Sequence, residues 1–268
     1  MLVSDVHHAQ AASDEELLVE DLKKKRNKRL ILGVGDELDC ISRADKRHDP
    51  TQLKDQFFTK ENYAKLVDAE IDDYCSILKK HTKPEEWLGH ISGNHPMVMS
   101  QYGVDPVERM CVLLDHIYLG YSAFVPVVIM YSNCRISLMI MAHHGFGGAN
   151  ARKEGSSLNA YIDHAMRYEE WDLAVYGHRH DRWVKTIPRI KPQGGGIRGV
   201  AWVRAVDRKV VQCGTYLKTL SHSKYPTYAE KVGYPPRPLG CLVLTIGIER
   251  FRDNGRDNIN LKFYGSNE

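Results

Sequence analysis

The chain has 268 residues, of which 43% are hydrophobic and 26% are charged, and its formal net charge is +3. This composition is typical of a soluble globular protein and excludes a disordered or fibrous chain. The length is enough to bury a sizeable core, and no linker divides the sequence, so we predict a single domain over residues 1–268. The mild net charge does not by itself indicate a nucleic-acid-binding surface, although local clusters can still form one.

The six cysteines are scattered, and no two of them form a CxxC pair. Their spacing argues against a disulfide framework and against a thiolate zinc site. No run approaches the roughly 20 consecutive apolar residues that cross a bilayer, so we expect no membrane span. Polar residues interrupt the first eight positions, which does not resemble a secretory signal, and the cytoplasm is therefore the expected location.

The first part of the chain alternates short apolar runs with amphipathic stretches, which predicts an α/β fold. Ser13 and Glu16 have the spacing of a capping box, so we predict a helix over residues 14 to about 26. Three more helices are predicted by apolar residues at helical spacing: over residues 61–80, after a cap at Asp105, and after a cap at Ser157. The apolar runs predict strands at Met1–Val3, Leu30–Val34, Trp87–Ile91, Ile136–Ala142 and Leu173–Tyr176.

After residue 181 the sequence consists mostly of β-type segments separated by turns, and we predict that the molecule has two stacked sheets. A run of three glycines at 194–196 marks one of the turns. The strands predicted in this part are Trp183–Ile190, Val200–Val206, Val210–Cys213 and Cys241–Ile248.

Five polar segments supply aspartate, asparagine and histidine side chains, and most of them follow a predicted strand directly. The carboxyl ends of strands in an open α/β sheet meet at one crevice, so these segments are expected to converge. Oxygen and imidazole donors without a thiolate suit manganese, iron or zinc, and one shared carboxylate holds two such ions about 3.5–4 Å apart. The pattern predicts a two-metal hydrolase, although each segment alone is compatible with an ordinary turn or a core histidine. The segments are SDVH (4–7), GDELD (35–39), GNH (93–95), HHG (143–145) and GHRH (177–180).

In this order the five segments resemble the motifs of the calcineurin-like metallophosphoesterases, from Asp5 to His180. The resemblance implies a four-layer α/β/β/α sandwich and a phosphoesterase with two divalent metal ions, Mn²⁺ first and Fe or Zn as alternatives. It also implies that a hydroxide bridging the two metals attacks phosphorus, and that His95 is the general acid. The alternative role for His95 is to orient Asn94. The implied ligands are Asp5, His7 and His180 for the first metal, Asn94, His143 and His178 for the second, and Asp36 as the bridge.

The chain departs from the family pattern at Pro96, because an acidic residue usually follows the GNH motif and could orient His95. The adjacent His143 and His144 would point to opposite faces of a continuing strand, so one ligand is expected from the pair, and the resemblance favours His143. The D-x-H spacing likewise favours His7 over His8. Asp39 is expected to hydrogen-bond around the site rather than to bind metal.

The expected substrate is a phosphate ester, with a phosphodiester preferred, nucleic acid among the candidates, and a phosphomonoester as the alternative. The rival hypothesis is a binding or scaffold protein that keeps the fold without catalysis, and the filled ligand positions argue against it. A single structural zinc is disfavoured because none of the five segments contains cysteine. The motifs leave the oligomeric state open, and the β-rich part from residue 181 is expected to shape substrate choice. Candidate phosphate-binding residues are Lys46, Arg47, His48, Arg152, Lys153 and Arg179.

Overall fold

The structure is a computed structural model of the whole chain. The residues described are 1–24, 28–41, 43, 45, 47–132, 134–147, 155–193, 202–221, 225–253 and 256–266.

Two sheets and a separate hairpin contain the strands of the described part. The first sheet is parallel, in the order β1-β2-β3, and the second is mixed, in the order β4-β5-β6-β8-β7. An antiparallel hairpin, β9-β10, follows them. The strands are β1 (Leu2–Val3), β2 (Ile31–Val34), β3 (Trp87–Ile91), β4 (Ser122–Tyr131), β5 (Cys134–His143), β6 (Leu173–Tyr176), β7 (Trp183–Gln193), β8 (Trp202–Gln212), β9 (Val243–Asp253) and β10 (Arg256–Ser266).

The predicted strands of the first 180 residues are confirmed, but the C-terminal part differs in two ways. Two predicted strands, 200–206 and 210–213, form the single strand β8, because the charged residues between them continue the pairing with β7. The strand β10 was not predicted, since polar residues break its apolar pattern. The glycine turn at 194–196 lies outside the described residues.

Six α-helices accompany the strands in the described part of the chain. None of them is both long and apolar enough to cross a membrane. The helices are α1 (Glu15–Lys23), α2 (Lys60–Ala64), α3 (Leu66–His81), α4 (Pro106–Leu114), α5 (Ser156–Ala165) and α6 (Tyr228–Val232).

Two of the predicted helix caps are wrong. Asp14 caps α1 through its side chain, while the hydroxyl of Ser13 donates instead to the carbonyl of Val6 at 2.6 Å. Gly155, with a φ of 71°, precedes α5, and the Ser157 hydroxyl accepts a hydrogen bond from the Trp183 indole. The cap at Asp105 is confirmed, with its carboxylate accepting from two amides of the first turn of α4.

The buried apolar side chains of the described residues form four clusters, and alternation along β6 assigns its side chains to two of them. Leu173 and Val175 of β6 join a cluster with residues of both sheets, while Ala174 and Tyr176 pack with α5. A third cluster unites the first sheet with α1, α3 and α4. This alternation is what strands buried on both faces require. The molecule therefore has the mixed α/β fold predicted from the sequence, with a central five-stranded sheet.

The carboxyl ends of strands from both sheets meet at one edge of the molecule. The backbone N–H of His178, after β6, donates to the carboxylate of Asp5, after β1, at 3.0 Å. The N–H of His95, after β3, donates to the carboxylate of Asp36, after β2, at 2.9 Å. The first bond joins loops of the two sheets and the second joins two loops of the first sheet, and together they bring the polar segments into one cluster.

Candidate metal centre

Five of the predicted ligands have left-handed backbone conformations. Asp5 and His7 follow β1 with φ of 51° and 48°, and Asp36 follows β2 with φ of 49°. His178 and His180 follow β6 with φ of 71° and 57°. A residue with a side chain in this region costs of the order of 1–3 kcal/mol unless its surroundings compensate, and such residues cluster at functional sites. The unusual backbone conformation at this edge therefore determines the directions in which these five side chains point.

Three overlapping groups of metal-competent atoms lie at this edge, and within each group the atoms are within 4.8 Å of one another. The groups share His7 and Asp36, so they form one continuous cluster rather than three separate sites. They are Asp5, His7 and His180; His7, Asp36 and His95; and Asp36, His144 and His178.

Asn94 joins the group that contains His178 and His144. Its amide oxygen lies 2.7 Å from Nδ1 of His178 and 3.2 Å from Nε2 of His144. His144 also lies 3.1 Å from a carboxylate oxygen of Asp36. Asn94, His144 and His178 thus lie together beside Asp36.

The structure brings His144, not His143, into the cluster. His143 is the last residue of β5, and its ring packs against His164 and Tyr176 on the α5 side of the sheet. His144 is fully buried on the opposite side, with Nδ1 held by the carbonyl of Val34 at 2.8 Å. The alternation of side chains along a strand accounts for this choice, because β5 ends with His143 facing outward. His144 therefore occupies the place in the cluster that the sequence predicted for His143.

His7 is oriented toward the cluster and His8 away from it, as the D-x-H spacing favoured. Nε2 of His8 lies 2.7 Å from Asp73 on α3. Nδ1 of His7 lies 3.0 Å from Asp39, whereas its Nε2 is buried and has no hydrogen-bond partner among the described residues. A buried, unpartnered nitrogen whose ring is fixed by a carboxylate is the usual arrangement of a metal-ligating histidine.

The charges of the cluster also suit divalent cations. Burial lowers the pKa of His7, and the proximity of His95 lowers it further, which favours the neutral imidazole that a metal requires. Burial raises the pKa of Asp5, but His180 outweighs it and the pKa falls to about 2. The pKa of Asp36 is likewise held well below its ordinary range, because His144 and His95 outweigh the effect of burial. The residues present therefore fit a pair of divalent ions.

Glycines at this edge leave room for the carboxylates. A side chain at Gly93 would overlap the carboxylate and backbone of Asp36. A side chain at Gly177 would overlap the hydroxyl of Ser4 and approach the carboxylate of Asp5. Gly93 and Gly177 therefore have a steric role, because they leave room for the carboxylates of Asp36 and Asp5.

Asp39 orients the ring of His95, which the next residue in the sequence, Pro96, cannot do because it has no carboxylate. Its Oδ1 atom lies 3.0 Å from Nδ1 of His95 and accepts a hydrogen bond from Gln10 at 2.8 Å. Burial lowers the pKa of His95, but Asp36 and the hydrogen bond to Asp39 outweigh it and raise the pKa to about 9. A pKa this high favours the protonated imidazole near neutral pH.

Glu70 of α3 braces the loops that contain these residues, and sequence analysis missed it. Its buried carboxylate accepts backbone hydrogen bonds from Ala9, from Asp39 and from Cys40, the last at 2.9 Å. Those amides lie in the loops after β1 and β2, so one side chain joins both loops to the helix. No local motif signals such a residue, because its partners are 30 or more positions away in the sequence.

The predicted phosphate-binding residues differ in their surroundings. Arg47 pairs with Asp45 at 2.7 Å, and His48 lies 2.8 Å from the hydroxyl of Tyr63, so both are engaged within their own loop region. Arg179 donates to the carbonyl of Phe146, and its Nη1 is buried without a hydrogen-bond partner in the described part. Lys46, Arg152 and Lys153 lie outside the described residues. Of the three residues that the structure describes, Arg179 is the best placed to meet an anion.

Known proteins resemble this chain only weakly, and the likeness is in structure rather than in sequence. No protein-family model matches the chain, and no curated protein matches it either. Among solved structures, Vacuolar Protein Sorting 29 from Cryptosporidium parvum aligns with 99% of this chain and 96% of its own, at 14% identity and a TM-score of 0.36. A Thermotoga maritima protein solved by NMR in solution aligns with 67% of this chain and 83% of its own, at 12% identity and a TM-score of 0.23. At such scores the likenesses carry no argument about activity, which depends on the site itself.

Proposed function

We propose that the chain is a dinuclear metal-dependent phosphoesterase, folded as a single four-layer α/β/β/α domain and acting in the cytoplasm on phosphodiesters. The observation that carries the proposal is the shared position of Asp36. It belongs to one group with His7 and His95 and to another with His144 and His178, which is what a bridging carboxylate requires.

Each ion would have its own set of ligands on either side of Asp36. Asp5, His7 and His180 would hold one ion, and Asn94, His144 and His178 the other, with Mn²⁺ as the first candidate. Two divalent ions bound there would supply Lewis acidity toward the phosphoryl oxygens and lower the pKa of a water.

The remaining steps belong to side chains of the chain itself. His95, held by Asp39, donates a proton to the departing oxygen as the ester bond breaks, and it is only 17% exposed at its side chain. Arg179 binds a non-bridging phosphoryl oxygen through the guanidinium nitrogen that has no other partner. Its position between His178 and His180 places it next to both proposed ligand sets.

Hydrolysis of bis-p-nitrophenyl phosphate with added Mn²⁺ tests the proposal. Asp36→Asn should abolish turnover and reduce the bound Mn²⁺ from two ions to one or none in calorimetric titration. Asp72→Asn, at an exposed position on α3, is the matched control and should behave like the wild type.

Undiminished turnover in folded Asp36→Asn would contradict the proposal. Failure of the metal-loaded wild type to cleave this diester, with cleavage of p-nitrophenyl phosphate instead, would favour the phosphomonoesterase. Failure to cleave either substrate would favour the scaffold.

A further inference from the structure

The hairpin of β7 and β8 concentrates positive charge that the proposed reaction does not use. Residues 182–209 contain eight lysines and arginines and one acidic residue, Asp207, whereas the whole chain has a net charge of only +3. A one-sign cluster of this kind is the electrostatic pattern of a polyanion-binding surface.

The strand register places basic residues on one face of the hairpin. Arg208 lies opposite Ile187, and Lys185 and Arg189 are two positions to either side of Ile187 on β7. Diagonal neighbours of this kind are about 7–8 Å apart on the same face. The backbone register continues the pattern outward, with Lys191 opposite Arg204, whereas Asp207 lies opposite Pro188 at positions of the other face.

The positive charges of this face lack acidic partners. Among the ion pairs of the described residues, none includes Lys185, Arg189 or Arg208. The Arg208 guanidinium lies over the Trp171 ring at 5.1 Å, and its Nη1 is buried without a hydrogen-bond partner. Like charges at neighbouring positions of a sheet are destabilising, so a bound polyanion would relieve a cost that the free protein retains.

The hairpin extends away from the metal centre. β8 pairs with β6 only through Lys209–Gln212, so the rest of the hairpin extends beyond the amino end of β6. Trp183 lies at the edge nearest the site, and Arg189 is six residues further along β7, roughly 20 Å away. Arg189 is therefore too far along the hairpin to contact a phosphate at the metals, but a long substrate that reaches them can also lie along the basic face.

We propose that this basic face binds the phosphate backbone of a nucleic-acid duplex without reading its sequence. Same-face residues along a strand repeat every ~6.7 Å, which matches two steps of about 3.4 Å along the axis of a duplex. Arg189 and Arg208 are two of the three cations whose side chains the structure describes on this face, and the planar fork of arginine matches phosphate oxygens bidentately. Cleavage of that duplex rests on the proposed function, whereas binding does not.

Fluorescence anisotropy with a labelled DNA duplex of about 20 base pairs, in EDTA so that no hydrolysis occurs, tests the binding across a series of KCl concentrations. The double variant Lys185→Gln/Arg189→Gln should bind about tenfold more weakly, and the slope of log K against log salt should fall by about 2, because two fewer phosphates are neutralised. Lys79→Gln/Lys80→Gln, at exposed positions of α3, is the charge-matched control and should keep the wild-type affinity and slope.

Three results would overturn the proposal: no duplex binding by the wild type at low salt, an unchanged affinity and slope in the double variant, or binding of phosphatidylserine vesicles without binding of the duplex. Hydrolysis of bis-p-nitrophenyl phosphate by the double variant should equal that of the wild type. Duplex binding in a protein that hydrolyses nothing would refute the proposed reaction and leave the binding face standing, so the two failures can be told apart.

Discussion

The carboxylate of Asp39 lies 3.0 Å from Nδ1 of His95, so the proposed acid is held by a residue from a different loop. The residue immediately after His95 is Pro96, which has no charge, and Asp39 provides a carboxylate from 56 positions earlier. The pair determines which nitrogen of His95 is free and whether it carries a proton.

Asp39→Asn should move the alkaline limb of the rate profile to lower pH. His95 donates only while protonated, so the rate falls as the pH rises through its pKa. Removal of the Asp39 carboxylate takes away an interaction that raises this pKa, and protonated His95 is then lost at lower pH. The measurement is kcat against pH for an alkyl phosphodiester with saturating Mn²⁺. Bis-p-nitrophenyl phosphate is the control, since nitrophenolate leaves without a proton, and an equal effect on both substrates would count against the acid role.

His144→Gln and His143→Gln should have unequal effects. The first removes a proposed ligand beside Asp36, and turnover should fall by about 100-fold or more with weaker Mn²⁺ binding. The second changes a ring that packs against His164, outside the cluster, and turnover should fall by less than about threefold. Metal titration and kinetics of both variants check this, and the opposite order would restore His143 as the ligand.

Glu70→Gln should weaken both the fold and metal binding. The amide nitrogen of glutamine is a donor that would face backbone N–H groups, so a buried donor would lose its partner. Such a loss costs about 1–3 kcal/mol in the free energy of unfolding. Urea unfolding in EDTA measures the stability, Mn²⁺ titration measures the binding, and Asp72→Asn on the same helix is the control. Glu70→Gln with the wild-type Mn²⁺ affinity would show that the brace does not position the site.

Asp21 should make the stability depend on pH in the acid range. Its buried carboxylate accepts hydrogen bonds from the Tyr216 hydroxyl at 3.0 Å and from the Cys241 amide at 3.1 Å. Burial raises the pKa of Asp21, but the bond to Lys24 and these two bonds outweigh it, and the pKa is lowered. A lowered pKa contributes stability that is present above the pKa of the unfolded chain and is lost as the pH falls through that of the folded state. Urea unfolding of the wild type and Asp21→Asn should converge as the pH falls below about 4, and a constant difference would contradict this.

The sequence predicts those parts of the site that depend on local patterns of residues. Each motif contains a turn after an apolar run, so the strand ends and most site positions follow from the order of residues alone. The choice between His143 and His144 does not, because it depends on where β5 ends and on which face its last residue lies. Glu70 and the pairing of Asp39 with His95 depend on contacts between distant segments, and no periodicity encodes them.

The C-terminal strands show a second limit. β8 was predicted as two pieces because Asp207, Arg208 and Lys209 interrupt its apolar run. Pairing with β7 carries the strand through these charges, since one face of the hairpin need not be apolar where it extends past β6. An apolar pattern predicts a strand because one face of the strand is buried. The prediction fails where a strand is stabilised only by hydrogen bonds to its partner strand.

The left-handed backbone at Asp5, His7, Asp36, His178 and His180 has a consequence for how the sequence can diverge. Glycine adopts this conformation without steric cost, so the fold alone would tolerate or favour it at all five positions. A relative that no longer binds metal would gain stability from glycine at these positions, while its sheets and core stayed the same. Such a protein would be recognised by glycines at these five places, whereas this chain has an aspartate or a histidine at each of them.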